Sequence, residues 1–175
     1  MLRAVLFDLD GVIVDSAKAN LLLYRSIMKE FGFKEPGKKK FAPLAAYGSK
    51  RTIQCLLPYG HRKDEKLLEK MRARMKIIAP NFIKYIKLSE NARSLIRGLS
   101  RDYFLAVVTN RRKSTFKILA RFGLLNYFDV VITADGSRNI KPHPAPLLKA
   151  LNKLKVKNNE AIFIGDSEVD RVAGK

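Results

Sequence analysis

The sequence predicts an α/β protein whose doubly wound parallel sheet carries an all-α insertion after its first strand. Four short, nearly continuous apolar runs, typical of strands buried on both faces of a parallel sheet, support the sheet. Helix-like stretches separate these runs in the second half of the chain. Between the first run and the others, residues 17–86 show only helical spacing, broken by prolines and glycines.

The apolar runs give the order of the predicted elements. The predicted strands are AVLF at 4–7, FLAVVT at 104–109, VVIT at 130–133 and AIFIG at 161–165. The helical pattern of KSTFKILARFG separates the second strand from the third, and PAPLLKALNKLK separates the third from the fourth. We therefore assign residues 1–16 and 87–175 to an α/β core and residues 17–86 to a helical cap.

Composition limits the class of protein. The chain has 175 residues, of which 47% are hydrophobic and 29% charged, as in a globular protein with its own core. No apolar run approaches the roughly 20 residues of a spanning helix, and the N-terminus shows no signal-peptide pattern, so we expect a cytoplasmic protein without membrane contact. The single cysteine, Cys55, excludes an internal disulfide and a cysteine-based zinc site.

The charge predicts an anionic ligand. There are 35 Lys and Arg residues against 16 Asp and Glu residues, a net charge of +19. Residues 17–86 contribute +12 of it, from 17 basic and 5 acidic residues. The electric field of this positive charge attracts anions, such as phosphorylated metabolites, nucleic acid or an acidic membrane surface.

Polar residues collect where the predicted strands end. In open parallel sheets, ligands bind beyond the carboxyl ends of the strands, so groups at those ends meet in one cleft. Carboxylates this close repel one another and require a cation, and an all-oxygen site with few ligands suits Mg²⁺. A lysine and a strand-end hydroxyl are then available to hold a phosphate. The residues concerned are Asp8, Asp10, Thr109, Asn110, Lys141, Asp166 and Asp170.

Four segments together resemble the motifs of the haloacid dehalogenase superfamily. They are FDLDGVIVDS, VVTN, KPHPAPLLKAL and IFIGDSEVD, and the nearest branch is that of the phosphoglycolate phosphatase-like hydrolases with a helical cap. The resemblance implies a Rossmann-like core in which Asp8 is the nucleophile and Asp10 the acid/base. The second Asp of the first motif is typical of the phosphatases, whereas the dehalogenases lack it.

The resemblance also assigns the remaining core residues. Asp166 completes a Mg²⁺ shell with Asp8 and the backbone carbonyl of Asp10, and Asp170 orients that shell or hydrogen-bonds Lys141. Thr109, Asn110 and Lys141 are expected to bind the phosphoryl oxygens, with Lys141 offsetting the developing charge.

One feature departs from the family pattern. Family members continue past the fourth motif with a further strand, whereas this sequence ends with EVDRVAGK. We therefore expect the final C-terminal strand of the core to be missing. The exposed edge is expected to pair in a homodimer or to reduce stability, although the sequence leaves the oligomeric state open.

The cap offers candidate specificity residues in YGSKRT, residues 47–52, where a loop enters a helix. By resemblance, this part of the cap approaches the core cleft, so Lys50 or Arg51 could pair with a carboxylate or second phosphate of the substrate. The alternative is that both side chains belong to the outer face of the helix. Arg111, Arg112 and Lys113 directly follow the phosphate-binding strand end, where one of them could touch substrate, but we interpret them as the solvated first turn of the next helix. His143 is interpreted as a loop residue.

The predicted function is Mg²⁺-dependent hydrolysis of a small phosphate monoester through an aspartyl-phosphate. One alternative is a phosphosugar mutase of the same superfamily, which would return the phosphoryl group to a sugar. Another is a basic nucleic-acid-binding protein with an idle hydrolase site, which is weaker because no stripe of basic residues alternates with aromatic ones. Sequence alone does not identify the substrate.

Overall fold

The computed structural model describes residues 1–175 and divides into two compact units. The core unit consists of Met1–Asp15 with Lys87–Lys175, and the cap unit of Ser16–Ile86. The sequence-based boundaries, after residues 16 and 86, lie within one residue of this division. No helix is long and apolar enough to cross a membrane.

Six strands and eight α-helices make up the two units. The strands are β1 (Ala4–Phe7), β2 (Val14–Asp15), β3 (Lys87–Leu88), β4 (Phe104–Val108), β5 (Val130–Ile132) and β6 (Ala161–Ile164). The cap helices are α1 (Ala17–Glu30), α2 (Lys38–Phe41), α3 (Ser49–Leu56) and α4 (Glu65–Ile78). The core helices are α5 (Ala92–Leu99), α6 (Ser114–Arg121), α7 (Ala145–Leu154) and α8 (Glu168–Ala173).

The core sheet confirms the predicted α/β fold. Its four strands run parallel in the order β5-β4-β1-β6, so β1 lies between β4 and β6. Every residue of β1 is buried, because both of its strand neighbours and the residues packed on both faces exclude water. On one face, Leu6 and Val108 pack against the apolar side of α7, represented by Leu147 and Ala150.

The observed strands end slightly earlier than predicted. Thr109, Thr133 and Gly165 are each predicted as the last residue of a strand but lie just beyond one. The amide of Thr109 still donates to Ile132 O at 3.0 Å. The pairing of the strands then ends because each strand turns away from its neighbour, and the turn places these three residues at the rim of the sheet.

The elements that were not predicted include a short ribbon and helix α5. β2 and β3 form a two-residue antiparallel ribbon, with Val14 opposite Leu88, and α5 follows it. The ribbon is too short for period-two alternation to be recognised, and it joins segments far apart in sequence. α5 buries only Ala92 and Ile96, so its apolar stripe is narrow.

The cap unit is helical, as its spacing predicts. α1 and α4 contribute most of its core, in which Ile27, Ile53, Leu68 and Met71 are all almost fully buried. α4 ends before Pro80, where the chain continues as a 3₁₀ helix over Ala79–Tyr85. The proline lacks the N–H that a continuing α-helix needs.

β6 is an edge of the core sheet. Ile162 and Ile164 remain 46% and 36% exposed, while the alternate residues Ala161 and Phe163 pack against the α7 side. The alternation follows from the period of two in a strand. An edge of this kind keeps unpaired backbone groups, and association through it stays a prediction.

Candidate active site

Asp8 stands at the carboxyl end of β1 and is buried, with only 8% of its surface exposed. Its amide donates to Ile164 O at 2.8 Å, which fixes it against the end of β6. Its Oδ1 lies 2.9 Å from Lys141 Nζ, yet this buried oxygen accepts no well-directed hydrogen bond. The charge of Asp8 is therefore partly compensated by Lys141, while Oδ1 keeps its capacity to accept a further contact.

Lys141 connects Asp8 to Asp170. The ammonium is 2% exposed and donates to Asp170 Oδ1 at 2.6 Å. The other oxygen of Asp170 accepts from the amide and hydroxyl of Ser167, which caps α8. Asp170 thus holds Lys141 in position, and the start of α8 holds Asp170.

Asn110 anchors the loop that carries Lys141. Its side-chain Nδ2 donates to Lys141 O, and its Oδ1 accepts from Lys141 N, both at 2.9 Å. This pair of bonds joins the end of β4 to the loop before α7.

Thr109 occupies the same strand end and is buried. Its hydroxyl oxygen accepts from the amide of Arg111 at 3.1 Å, which turns the chain away from the sheet after β4. The hydroxyl is therefore held at the rim by the turn that follows it.

Asp166 meets Gly11 across the rim. Gly11 has φ of +85°, and a Cβ at this position would lie 1.9 Å from Asp166 Oδ2. Only glycine fits this close approach, which also requires a left-handed backbone. Gly11 therefore leaves room for the Asp166 carboxylate next to the first strand end.

Three carboxylates are suited to a cation. Ligand oxygens of Asp8, Asp166 and Asp170 lie within 4.8 Å of one another. Since Asp170 already bonds Lys141 and Ser167, the oxygens best placed for a metal are those of Asp8 and Asp166. The unsatisfied Oδ1 of Asp8 fits a hard cation, which prefers oxygen ligands.

Asp8 and Asp166 hold protons more strongly than ordinary carboxyls. Burial raises the pKa of Asp8 from 3.8 to about 7; Lys141 lowers it, and the nearby Asp10 and Asp170 raise it. Burial and Asp170 likewise raise the pKa of Asp166. Burial and repulsion between the carboxylates thus raise these pKa values by more than Lys141 lowers them. A bound cation would favour the ionised forms.

Asp10 pairs with Arg111, a contact that the sequence analysis missed. The guanidinium forms a fork, with Nη2 2.7 Å from Oδ1 and Nε 2.9 Å from Oδ2. The Arg111 side chain is only 15% exposed, so the prediction of a solvated turn was wrong for this residue. The position of Arg111 just after the end of β4 was the one feature of the sequence that could have indicated a role in the site. Its partner, Asp10, lies 101 positions away, so the contact could not be recognised locally.

The remaining candidate residues, Lys50, Arg51 and His143, have partners within their own units. In the cap unit, Lys50 Nζ lies 2.8 Å from Glu65 Oε2, and the Arg51 guanidinium lies 4.8 Å from the Tyr47 ring centre. In the core unit, His143 is exposed and its Nδ1 accepts from the amide of Ala145 at the start of α7.

Comparisons with known proteins agree with this arrangement. Residues 5–175 match the family of haloacid dehalogenase-like hydrolases. The chain is 33% identical to the pyrophosphatase PpaX of Halalkalibacterium halodurans, covering 99% of this chain and 79% of that protein. It is 31% identical to a phosphoglycolate phosphatase of Aquifex aeolicus, covering 99% and 80%.

A solved structure extends the agreement to the fold. The crystal structure of a haloacid dehalogenase-superfamily hydrolase of subfamily IA from Geobacter sulfurreducens superposes with a TM-score of 0.78 at 32% identity. The match covers 99% of this chain and 84% of that one. The resemblance inferred from the four motifs is thereby confirmed, and the chain belongs to the haloacid dehalogenase-like hydrolase family as an enzyme of its phosphatase type.

Proposed function

We propose that the protein is a Mg²⁺-dependent phosphatase that hydrolyses a small phosphate monoester through an aspartyl-phosphate on Asp8. The observation that carries this proposal is the buried Asp8–Lys141–Asp170 chain at the strand ends, with Asp10 two residues from Asp8. It supplies a nucleophile, a fixed cation and a second carboxylate to one small region.

Asp8 is the proposed nucleophile because its carboxylate stands at the carboxyl end of β1, where parallel sheets bind their ligands, and lies 2.9 Å from the Lys141 ammonium. Attack on phosphorus forms the aspartyl-phosphate and breaks the bond to the leaving oxygen. Asp10 delivers a proton to that oxygen. In the second step it removes a proton from the water that attacks the aspartyl-phosphate, which releases phosphate and restores Asp8.

Lys141 is proposed to bind the transferring phosphoryl group. Its ammonium is already desolvated and held by Asp170, so it requires little reorganisation as charge develops on the equatorial oxygens. Thr109 and Asn110 are the proposed further contacts, at the neighbouring strand end. Asn110 also supports Lys141 through the two main-chain bonds.

Asp8, Asp166 and the carbonyl of Asp10 are the proposed Mg²⁺ ligands. When bound, Mg²⁺ would neutralise the carboxylates and the phosphoryl oxygens, which have the same sign of charge. The acidic cluster and the raised pKa values of Asp8 and Asp166 support a divalent cation at this position.

The names of the relatives suggest the first substrates to test. They are a pyrophosphatase and a phosphoglycolate phosphatase. Pyrophosphate and 2-phosphoglycolate both place a second anionic group beside the leaving oxygen. We propose that this chain acts on a small phosphorylated metabolite of similar charge.

A phosphate-release screen tests the proposed function. The panel contains pyrophosphate, 2-phosphoglycolate, sugar phosphates and p-nitrophenyl phosphate, each with Mg²⁺ and with EDTA, and Asp8→Asn protein serves as the blank. We expect Mg²⁺-dependent release from at least one compound. Equal release by the blank, or none from any compound, would contradict the proposal. Isomerised sugar phosphate without net release would instead identify a mutase.

Arg51 provides the prediction for the cap. Both side chains are exposed, but Lys50 pairs with the Glu65 carboxylate whereas Arg51 stacks on Tyr47, so we propose Arg51 as the stronger specificity candidate of the two. Arg51→Ala is expected to raise KM for an anionic substrate about 10- to 100-fold, as for loss of a charged hydrogen bond. It should scarcely change hydrolysis of p-nitrophenyl phosphate.

Lys50→Ala is the matched control for this cap prediction. We expect a smaller KM change from it, because the lost charge already had a carboxylate partner. Equal changes for both substrates, or no change from either variant, would assign the two residues to the outer helix face.

A further inference from the structure

The fork between Arg111 and Asp10 lies beyond the carboxyl ends of β4 and β1, and Asp10 is two residues from the proposed nucleophile Asp8. Both oxygens of Asp10 accept from Arg111, through Nη2 and Nε at 2.7 to 3.2 Å. If Asp10 serves the leaving oxygen as proposed above, its carboxylate comes within hydrogen-bond distance of that oxygen. The guanidinium then lies on the order of 5 to 6 Å from the leaving oxygen, two successive polar contacts away.

Arg111 is held so that its side chain stays in this place. Its amide donates to Thr109 Oγ1, and its carbonyl accepts from the amide of Ala134. The backbone is thus fixed on both sides at the rim of the sheet. With 15% of the side chain exposed, little water is left to solvate the guanidinium, and its charge is compensated by the Asp10 carboxylate.

Proton delivery leaves this cation in place. Asp10 can reach the leaving oxygen while it stays beside Arg111, since a carboxyl oxygen can take part in more than one hydrogen bond. Arginine remains charged throughout, because it is not deprotonated in proteins. The guanidinium is therefore a fixed positive charge near the leaving oxygen, and its planar shape matches a phosphate or carboxylate in two-point contact.

We propose that Arg111 is a specificity-determining residue that recognises an anionic group within one or two bonds of the leaving oxygen. The phosphate of a leaving phosphate ion and the carboxylate of a 2-hydroxy acid both meet this condition. The anion pairs with the guanidinium beside Asp10. This inference rests on the proposed function and adds to it the class of substrate selected by the core unit.

The test compares two classes of substrate in Arg111→Ala protein. We expect kcat/KM for pyrophosphate and 2-phosphoglycolate to fall about 10- to 100-fold. For p-nitrophenyl phosphate, whose aryl group carries no anionic substituent, kcat/KM should change less than about threefold. Arg111→Lys keeps the charge but loses the fork, and should give an intermediate fall. The ratio between pyrophosphate and 2-phosphoglycolate shows whether phosphate or carboxylate is the preferred anion.

Arg112→Ala is the matched control. Arg112 is adjacent, carries the same charge and pairs with Asp135 at the surface, so its loss should leave both substrate classes unaffected. A fall in Arg111→Ala that is equal for all substrates would make Arg111 a support for Asp10 only and overturn the proposal, as would no fall at all. Wild-type protein inactive on every compound would instead contradict the proposed function.

A binding measurement keeps the inference testable without turnover. Inorganic pyrophosphate is titrated calorimetrically into Asp8→Asn protein and into Asp8→Asn/Arg111→Ala protein, both in metal-free buffer. We expect the second variant to bind at least about tenfold more weakly. Dissociation constants within twofold of each other would overturn the proposal even if Arg111→Ala alone were poorly folded.

Discussion

Asp8→Asn is expected to lower kcat by about 10⁴-fold or more on any substrate that the protein hydrolyses. The amide has nearly the same shape but cannot attack phosphorus to form the acyl phosphate, and loss of a covalent nucleophile has effects of this order. Acid quenching during turnover of a labelled substrate should trap labelled wild-type protein and leave Asp8→Asn unlabelled. Asp102→Asn, at an exposed turn of the core unit, is the control.

Retention of a tenth of the wild-type rate by Asp8→Asn would exclude Asp8 as the nucleophile. Label that remained on the variant would place the covalent intermediate on another residue. Full loss of activity with normal labelling of wild type and Asp102→Asn is the expected pattern.

The same substitution should change the dependence of stability on pH. The folded-state pKa of Asp8, about 7, lies above the ordinary value of 3.8, so the folded protein binds the extra proton between these pH values. Stability of the metal-free wild type is therefore lost as pH rises from about 4 to about 7. Asp8→Asn does not ionise, and denaturant unfolding should show it to be more stable than wild type above pH 7 but not near pH 4.

Lys141→Met is expected to abolish measurable activity and to destabilise the core unit. The ammonium is the cation between Asp8 and Asp170, and its removal leaves two buried carboxylates without compensation. Breaking a buried ion pair by removing one partner costs about 3 to 5 kcal/mol. Denaturant unfolding at pH 8 in EDTA measures this loss, and phosphate release with Mg²⁺ measures the loss of activity.

Lys153→Met on the exposed side of α7 is the matched control for Lys141→Met. It removes the same charge from a solvated position, where single substitutions usually change stability by less than about 0.5 kcal/mol. Wild-type stability of Lys141→Met would show that the carboxylates do not need the lysine. Activity within tenfold of wild type would remove Lys141 from phosphate binding.

Much of the fold could be predicted because its signals are local. Continuous apolar runs indicate β1 and β4, because these strands are buried on both faces. The helical spacing of apolar residues indicates α1 and α4, because each helix is buried along one stripe. The order of strands and helices then requires parallel pairing, and parallel pairing places Asp8, Thr109 and Gly165 at one rim of the sheet. The two-residue ribbon of β2 and β3 has no such period and was missed.

The candidate site could be predicted as a set of residue types but not as a network. Asp8, Asp10, Lys141 and Asp166 were identified because acids, a lysine and glycines follow strand ends. Asn110 was expected to bind phosphoryl oxygens, which stays a prediction, but the two bonds from its side chain to the main chain of Lys141 were not foreseen. Nothing in the local sequence distinguishes an amide that supports a loop from one that binds a ligand.

The sequence by itself determined the alternation of elements and the chemistry available at the strand ends. Only the tertiary structure decided which charges became partners. Arg111 meets Asp10 because β4 lies beside β1, and Gly11 meets Asp166 because β6 lies on the other side of β1. Side-chain charges act over a few ångströms, so these pairings depend on which strands are neighbours, and strand order is a property of the folded sheet.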